Sequence, residues 1–338
     1  MNVARPDQPE GSEQPGRAAP SLIATADHQR RARRNQHVVV AIGLVGYAIA
    51  LTVVARRWEL PPIGIRAALL LPTALLIELI AKGLFGVQFR DALRRQAHRV
   101  TLRAAVLASF VGTAVARLVP AGGALSPSAM AWAVRSEDDH AAGAALRITL
   151  TGYGGLLLIT GGAIGVALPF GRSPLPEVAS LLLAAGLILI GSMALFGSRW
   201  LDRFVGVLPP VLRRHFGPTA GGGGMTGYQF VLIMSRIVLE ATVLWIVLRA
   251  FEINLDPGQA MLTYGTAKVI GGLPATPGGI GLVEGGMIGV LAAIGFGAEA
   301  VVAPVLVYQI IDYWIVAVLG LLAAGRISAD PASSTRSW

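Results

Sequence analysis

Glu78 and Lys82 lie four residues apart in a stretch that is otherwise apolar, and Arg236 and Glu240 repeat that spacing in reverse order later in the chain. Residues four apart share one face of a helix, so each pair can neutralise itself. A charge at the centre of a bilayer costs about 2.5–3.5 kcal/mol even on mild insertion scales, so four of them require partners or water. Two roles fit: internal ion pairs that hold helices together, or the wall of a polar cleft. Further polar groups sit in similar surroundings. Arg117 precedes Pro120, Lys268 leads toward Pro274, and Asp312 is central in the last apolar run with Tyr308 and Gln309 on its face. Such groups can hold a charged ligand. No nucleophile–base pairing points to bond-making.

The densest signal is Gly271-Gly272-Leu273-Pro274-Ala275-Thr276-Pro277-Gly278-Gly279-Ile280-Gly281-Leu282-Val283-Glu284-Gly285-Gly286. It packs helix breakers around one acid. In hydrocarbon, irregular backbone survives only where protein or a wet cavity satisfies its polar groups. A carboxylate beside such a break is therefore a pointer to a binding or transport site. A helix starting near Gly281 would aim its positive end at the cavity, where an anionic group could bind. Glu284 would instead stabilise that helix end or a cation.

The surrounding chain must supply helices in lipid. Apolar residues make up 54% of the 338 and charged residues only 14%, against roughly 25% charged in ordinary globular proteins. Six spans are expected, at about 37–55, 67–88, 147–169, 175–197, 227–250 and 300–325. Two more apolar regions, 104–134 and 258–297, are broken near their middles by Pro and Gly and read as helical hairpins, either re-entrant or fully spanning. Residues 1–36 read as a disordered cytoplasmic tail rather than a cleavable leader, and 327–338 as a second cytoplasmic tail. Segment 198–226 reads as an amphipathic interfacial stretch followed by the Gly221–Gly224 linker. Trp58, Trp132 and Trp200 fit interfacial anchors.

The net charge of +9 comes mostly from arginines beside the spans, so it reflects orientation rather than a nucleic-acid partner. Clusters at Arg30–Arg34, Arg90–Arg103 and Arg199–Arg214, with Arg326, place both termini in the cytoplasm if each broken region enters and leaves on one side. The broken regions also resemble each other. An offset of 157 pairs Pro120 with Pro277, Gly122 with Gly279, Leu125 with Leu282 and Met130 with Met287. Each sits in a span–hairpin–span unit, about 67–169 and 227–325, and the units have opposite orientations. That is the pattern of an inverted-topology repeat, which in transporters places the site near the midplane where the repeats meet.

Several classes are excluded by absence. There is no cysteine, hence no disulfide, thiolate metal site or Cys nucleophile. His28, His37, His98, His140 and His215 lack metal-ligand spacing, so neither a metal nor another cofactor is expected. Gly221–Gly224 is followed by Met225 and Thr226, so it is not a phosphate-binding loop. No polar segment is long enough for a catalytic domain, and the chain is expected not to be an enzyme.

The run Leu273-Pro274-Ala275-Thr276-Pro277-Gly278-Gly279-Ile280-Gly281-Leu282-Val283-Glu284, followed by an apolar helix and Val305-Leu306-Val307-Tyr308-Gln309, resembles the lysylphosphatidylglycerol synthase/flippase transmembrane family over about residues 38–325. The resemblance implies an integral membrane protein handling lipid or lipid-linked substrates. It marks Pro277, Gly278, Gly279, Gly281 and Glu284 as signature positions, with Pro120-Ala121-Gly122-Gly123 as the matching first-half turn. Many members carry Arg where this chain has Gln309, and their first-half turn continues with Gly, Asp and Arg rather than Ala124-Leu125-Ser126-Pro127. Residues 1–338 contain no segment expected to match the aminoacyl-transferase domain of full synthases, so lipid lysinylation by these residues alone is not expected.

The combined expectation is an all-α integral membrane protein of the bacterial inner membrane that moves a phospholipid or lipid-linked head group through a polar cleft. Glu78, Lys82, Arg117, Arg236, Glu240, Lys268, Glu284, Tyr308, Gln309 and Asp312 would line it, with the turns at Pro120, Gly122, Gly123 and Pro277–Gly281. Its partners would be membrane lipids and, on one alternative, a membrane glycosyltransferase for which the chain binds a lipid-linked glycan without transporting it. A small-solute or ion transporter on the same scaffold is the other alternative.

Overall fold

Long apolar runs with Ala, Leu and Gly at their contacts, cut by Pro and Gly, give helices joined by short breaks. The computed structural model describes residue 52 and residues 64–96, 98–119, 122–134, 139–167, 176–197, 225–272 and 277–329, all within one unit, Gly46–Trp338. The described residues are helical and contain no strand. In chain order they form α1 (Ile65–Arg95), α2 (Leu102–Leu118), α3 (Gly122–Ala133), α4 (Asp139–Ala167), α5 (Glu177–Phe196), α6 (Gly227–Ala250), α7 (Pro257–Gly271), a 3₁₀ turn (Pro277–Gly279), α8 (Leu282–Ala293) and α9 (Ala298–Gln309). From α9 the chain runs without a break through a π-helical turn (Ile310–Ile315) into α10 (Val316–Ala329).

Among the described residues, five helices are long and apolar enough to cross a bilayer: Ile65–Arg95, Ala141–Ala167, Glu177–Phe196, Gly227–Ala250 and Ala298–Ser328. They correspond to five of the six expected spans; 37–55 lies outside the described residues except for Thr52. So do the two tails almost entirely, Trp58 and Trp200, and the amphipathic stretch with its Gly linker up to residue 224. Boundaries shift where local chemistry favours helix. α1 continues through Arg90, Arg94 and Arg95, because a carbonyl end welcomes cations. α4 begins at Asp139 rather than near residue 147, since the Ala-rich stretch Ala141–Ala145 is a strong helix former.

Both broken regions are helix pairs, α2/α3 and α7/α8, whose arms pack on each other. They are not copies. The second arm of the first pair starts at Gly122, whereas the second arm of the other starts at Leu282, three residues past the position aligned with Gly122, behind the 3₁₀ turn. The cause is local. Gly278, Gly279 and Gly281 hold φ of 59°, 74° and 83°, which no helix accommodates, while Gly122 and Gly123 lie in α3 without positive φ.

α1 is the central strut, packing on α2, α4, α6 and the π-helical turn. α10 packs on α2, closely enough that a Cβ at Gly320 would lie 2.3 Å from the Phe110 carbonyl oxygen. Small residues at such crossings let backbones approach, the usual source of helix association in lipid. The outside is apolar: Val178 is 71% exposed, Leu182 68% and Leu189 63%, all on α5. In water that surface would aggregate, whereas in lipid it is the solvated face.

Candidate functional site

The charges scattered through the sequence converge at the centre of the bundle. Lys82 on α1 places its Nζ 2.9 Å from Glu78 Oε1, 2.8 Å from Glu240 Oε1 on α6 and 3.6 Å from Asp312 Oδ1 on the π-helical turn. Asp312 also takes Arg117 Nη2 of α2 at 3.2 Å and Lys268 Nζ of α7 at 2.6 Å. One carboxylate thus holds cations from three helices. Glu78 is fully buried, Asp312 is 1% exposed and Glu240 6%. In low dielectric each of these charges needs the others, and removing one strands its neighbours.

Local sequence explains the placement. Glu78 and Lys82 form the expected pair, one turn apart on α1. Arg117 lies in the last turn of α2 and Lys268 in the last turn of α7, so each hairpin delivers one cation from the helix end beside its break. The π-helical turn adds a residue to one turn of the last rod, and Asp312 lies inside it. π-bulges are rare and concentrate at functional sites.

The second expected pair resolves differently. Glu240 turns to Lys82 and accepts a hydrogen bond from the Tyr264 hydroxyl, while Arg236 lies over the Phe85 ring, 4.9 Å from its centroid. Lys82 offers Glu240 a partner inside the bundle, so the carboxylate leaves its i−4 neighbour for a buried one.

Glu284 is a helix cap in this structure. Its Oε2 accepts the Gly281 backbone N–H at 2.7 Å, satisfying one of the donors that every helix start leaves open. Of the two roles open to it in the sequence, this geometry matches stabilisation of the helix end. The 3₁₀ turn that precedes α8 packs on the end of α2: a Cβ at Gly278 would stand 2.8 Å from the Arg117 Cα and carbonyl oxygen. The two hairpin breaks therefore touch. Gly122 is equally tight, with a Cβ falling 2.0 Å from the Val115 carbonyl oxygen, whereas Gly123 faces open space. Pro120 and the Pro277 side chain lie outside the described residues.

Three residues escaped the sequence reading. Tyr264 bonds Glu240 and lies one turn before Lys268 on the same face of α7, a spacing that was visible. Tyr313 donates to the Arg117 carbonyl and carries the Arg117 guanidinium 5.2 Å over its ring. Phe85 under Arg236 had no sequence signal.

The network is not fully satisfied from within. Both Glu78 carboxylate oxygens lack a properly aligned hydrogen bond, as do Arg117 Nη1, Arg236 Nε, Tyr308 Oη and Gln309 Oε1, all buried. Buried polar atoms are normally partnered, and this concentration marks the cluster as the polar centre of the bundle. Among the described residues no group of three or more His, Cys, Asp or Glu could hold a metal ion.

A model of the lysylphosphatidylglycerol synthase transmembrane region matches residues 37–320. The chain belongs to that family. It is also similar to a "UPF0104 membrane protein" of Methanothermobacter thermautotrophicus, 26% identical over 132 residues. That alignment covers 36% of this chain and 40% of the relative's length. Family membership together with the five apolar helices makes this a multi-pass membrane protein.

Proposed function

We propose that this chain is a lipid flippase or transporter of the bacterial inner membrane, not an enzyme, and that it passes a phospholipid or lipid-linked head group through the buried charge cluster. The observation that carries the reading is the meeting of two broken hairpins and a π-helical turn on one carboxylate, Asp312, amid buried polar atoms without partners. A merely structural ion-pair cluster has no need of spare donors at Arg117 and Arg236 or of a spare acceptor at Glu78 Oε2.

The network offers an exchange route. Of the three cations paired with Asp312, Lys268 is the most accessible, its side chain 20% exposed against 11% for Arg117 and 8% for Lys82. An arriving phosphate would meet Lys268 first, replace Asp312 as its partner, and then take the free Arg117 donor. Charge-assisted bonds would replace charge-assisted bonds, so no ion would be bared in hydrocarbon. Glu284 and the α8 helix start would move with the turn. On this reading both termini are cytoplasmic, as the positive-inside bias favours, and the two span–hairpin–span units act as inverted repeats rocking about the cluster.

The test is head-group translocation in vesicles holding the purified full chain, read by quenching of a fluorescent phospholipid from outside. Wild type should exceed empty vesicles, and Asp312→Asn should slow it by about tenfold or more, a loss of roughly 1.4 kcal/mol in the barrier. A wild-type rate equal to that of empty vesicles would overturn the reading.

A further inference from the structure

A second polar site lies away from the central cluster. α1 and α6 run antiparallel, and one end of the pair is tied by Arg95 Nη2 donating to Thr226 Oγ1 at 2.8 Å and by Gln229 Nε2 donating to Asp91 Oδ2 at 3.0 Å. At the other end the helices part around a cleft of about 610 Å³, lined by Arg66, Leu70, Trp245, Arg249 and Glu252 among others. That volume is in the range of small-molecule sites. Neither Arg66 nor Glu252 forms an ion pair among the described residues, although both lie in one cleft.

The walls are fixed. Trp245 Nε1 donates to the Leu255 carbonyl at 3.0 Å, and the Arg249 guanidinium stacks 5.2 Å from the Trp245 ring centroid. Arg249 Nη1 donates to Asn254 Oδ1 at 2.9 Å. A guanidinium has five donors, so Arg249 keeps some for a ligand.

Glu252 gives the site its second character. It ends α6 in a turn where the Ile253 N–H bonds the Leu248 carbonyl at 3.0 Å and the Glu252 N–H bonds the Arg249 carbonyl at 3.1 Å. This is the Schellman arrangement, whose left-handed position is usually glycine. Here it is Glu252, at φ 64°, the one described non-glycine residue with positive φ. A glycine would meet the backbone demand more cheaply, so the turn itself does not require the carboxylate. Two guanidiniums and one carboxylate would weaken the hold on a purely anionic group and complement one that carries both signs.

An exposed apolar stripe lies beside the cleft. Ile65 (80% exposed), Leu69 (67%), Leu76 (58%) and Ile80 (48%) form one stripe of α1 running from the cleft along the helix. We infer that this cleft binds a phospholipid head group bearing both a phosphate and a primary ammonium: the phosphate on Arg66 and Arg249, the ammonium at Glu252, an acyl chain along the α1 stripe. This inference does not depend on the central cluster transporting anything.

The chain has no cysteine, so Leu69→Cys carrying a bimane label gives a reporter at the cleft edge of the full-length protein in detergent. Dihexanoylphosphatidylethanolamine should give a saturable response, at least about tenfold tighter than dihexanoylphosphatidylglycerol, glycerophosphoethanolamine or inorganic phosphate. Arg66→Gln should weaken the ethanolamine lipid by about tenfold. Glu252→Gln should bring the two lipids to within about twofold of each other. Glu252→Gly should do the same while folding at least as well as wild type, so its loss of preference is not a folding defect. No saturable response, equal affinity for the glycerol lipid or for the free head group in wild type, or an unchanged preference in both Glu252 variants would overturn the assignment.

Discussion

Gly278 and Gly281 hold similar left-handed backbones for different reasons, at φ 59° and 83°. A side chain at Gly278 would strike the backbone of Arg117 and the Tyr313 hydroxyl, whereas nothing lies within 4 Å of a Cβ at Gly281. Both Gly→Ala changes carry the cost of a left-handed L-residue, about 1–2 kcal/mol. Gly278→Ala adds the overlap that drives the second turn off the first. Thermal unfolding of the purified protein should therefore show a larger drop in midpoint for Gly278→Ala than for Gly281→Ala. Equal drops would mean that the contact between the turns carries no energy.

Among elements, the buried charged tie between α1 and α6 runs through Lys82. Its Nζ bridges Glu78 and Glu240 at 2.9 and 2.8 Å, and Tyr264 secures the other Glu240 oxygen. Lys82→Met leaves both acids buried without their cation and should cost about 3–5 kcal/mol in denaturant unfolding. Lys82→Met with Glu240→Gln should cost less than the sum of the single changes, with a coupling of about 0.5–3 kcal/mol. Simple additivity would show that the Lys82–Glu240 ion pair contributes nothing to holding the two helices together. The sequence spacing of Arg236 and Glu240 misled here because i,i+4 geometry is only one of the partners a buried carboxylate can choose. The offer from α1 was stronger, and it lies 158 residues away.

For the whole molecule, the inverted-repeat proposal makes a topological demand. Gly123 and Gly285 each have open space where a Cβ would stand, so both tolerate cysteine in this cysteine-free chain. If the hairpins enter from opposite faces, an impermeant thiol reagent should reach Gly123→Cys from one side of sealed vesicles and Gly285→Cys from the other. Labelling of both from the same side would remove the inverted arrangement while leaving the fold and the family membership untouched.

The sequence alone determined the helical, membrane-embedded class, because length, hydropathy and the scarcity of charge permit nothing else for Ile65–Arg95 or Glu177–Phe196. It also located the breaks, since glycine and proline act through the local backbone. Local rules reached Glu78–Lys82 and the Glu284 cap, both made within one helical turn. Tertiary structure alone decided that Arg117, Lys268 and Lys82 would share Asp312, and that Arg66, Arg249 and Glu252 would face one cleft. These contacts join residues far apart in the chain, and their partners are chosen by desolvation and packing in three dimensions, which no local pattern encodes.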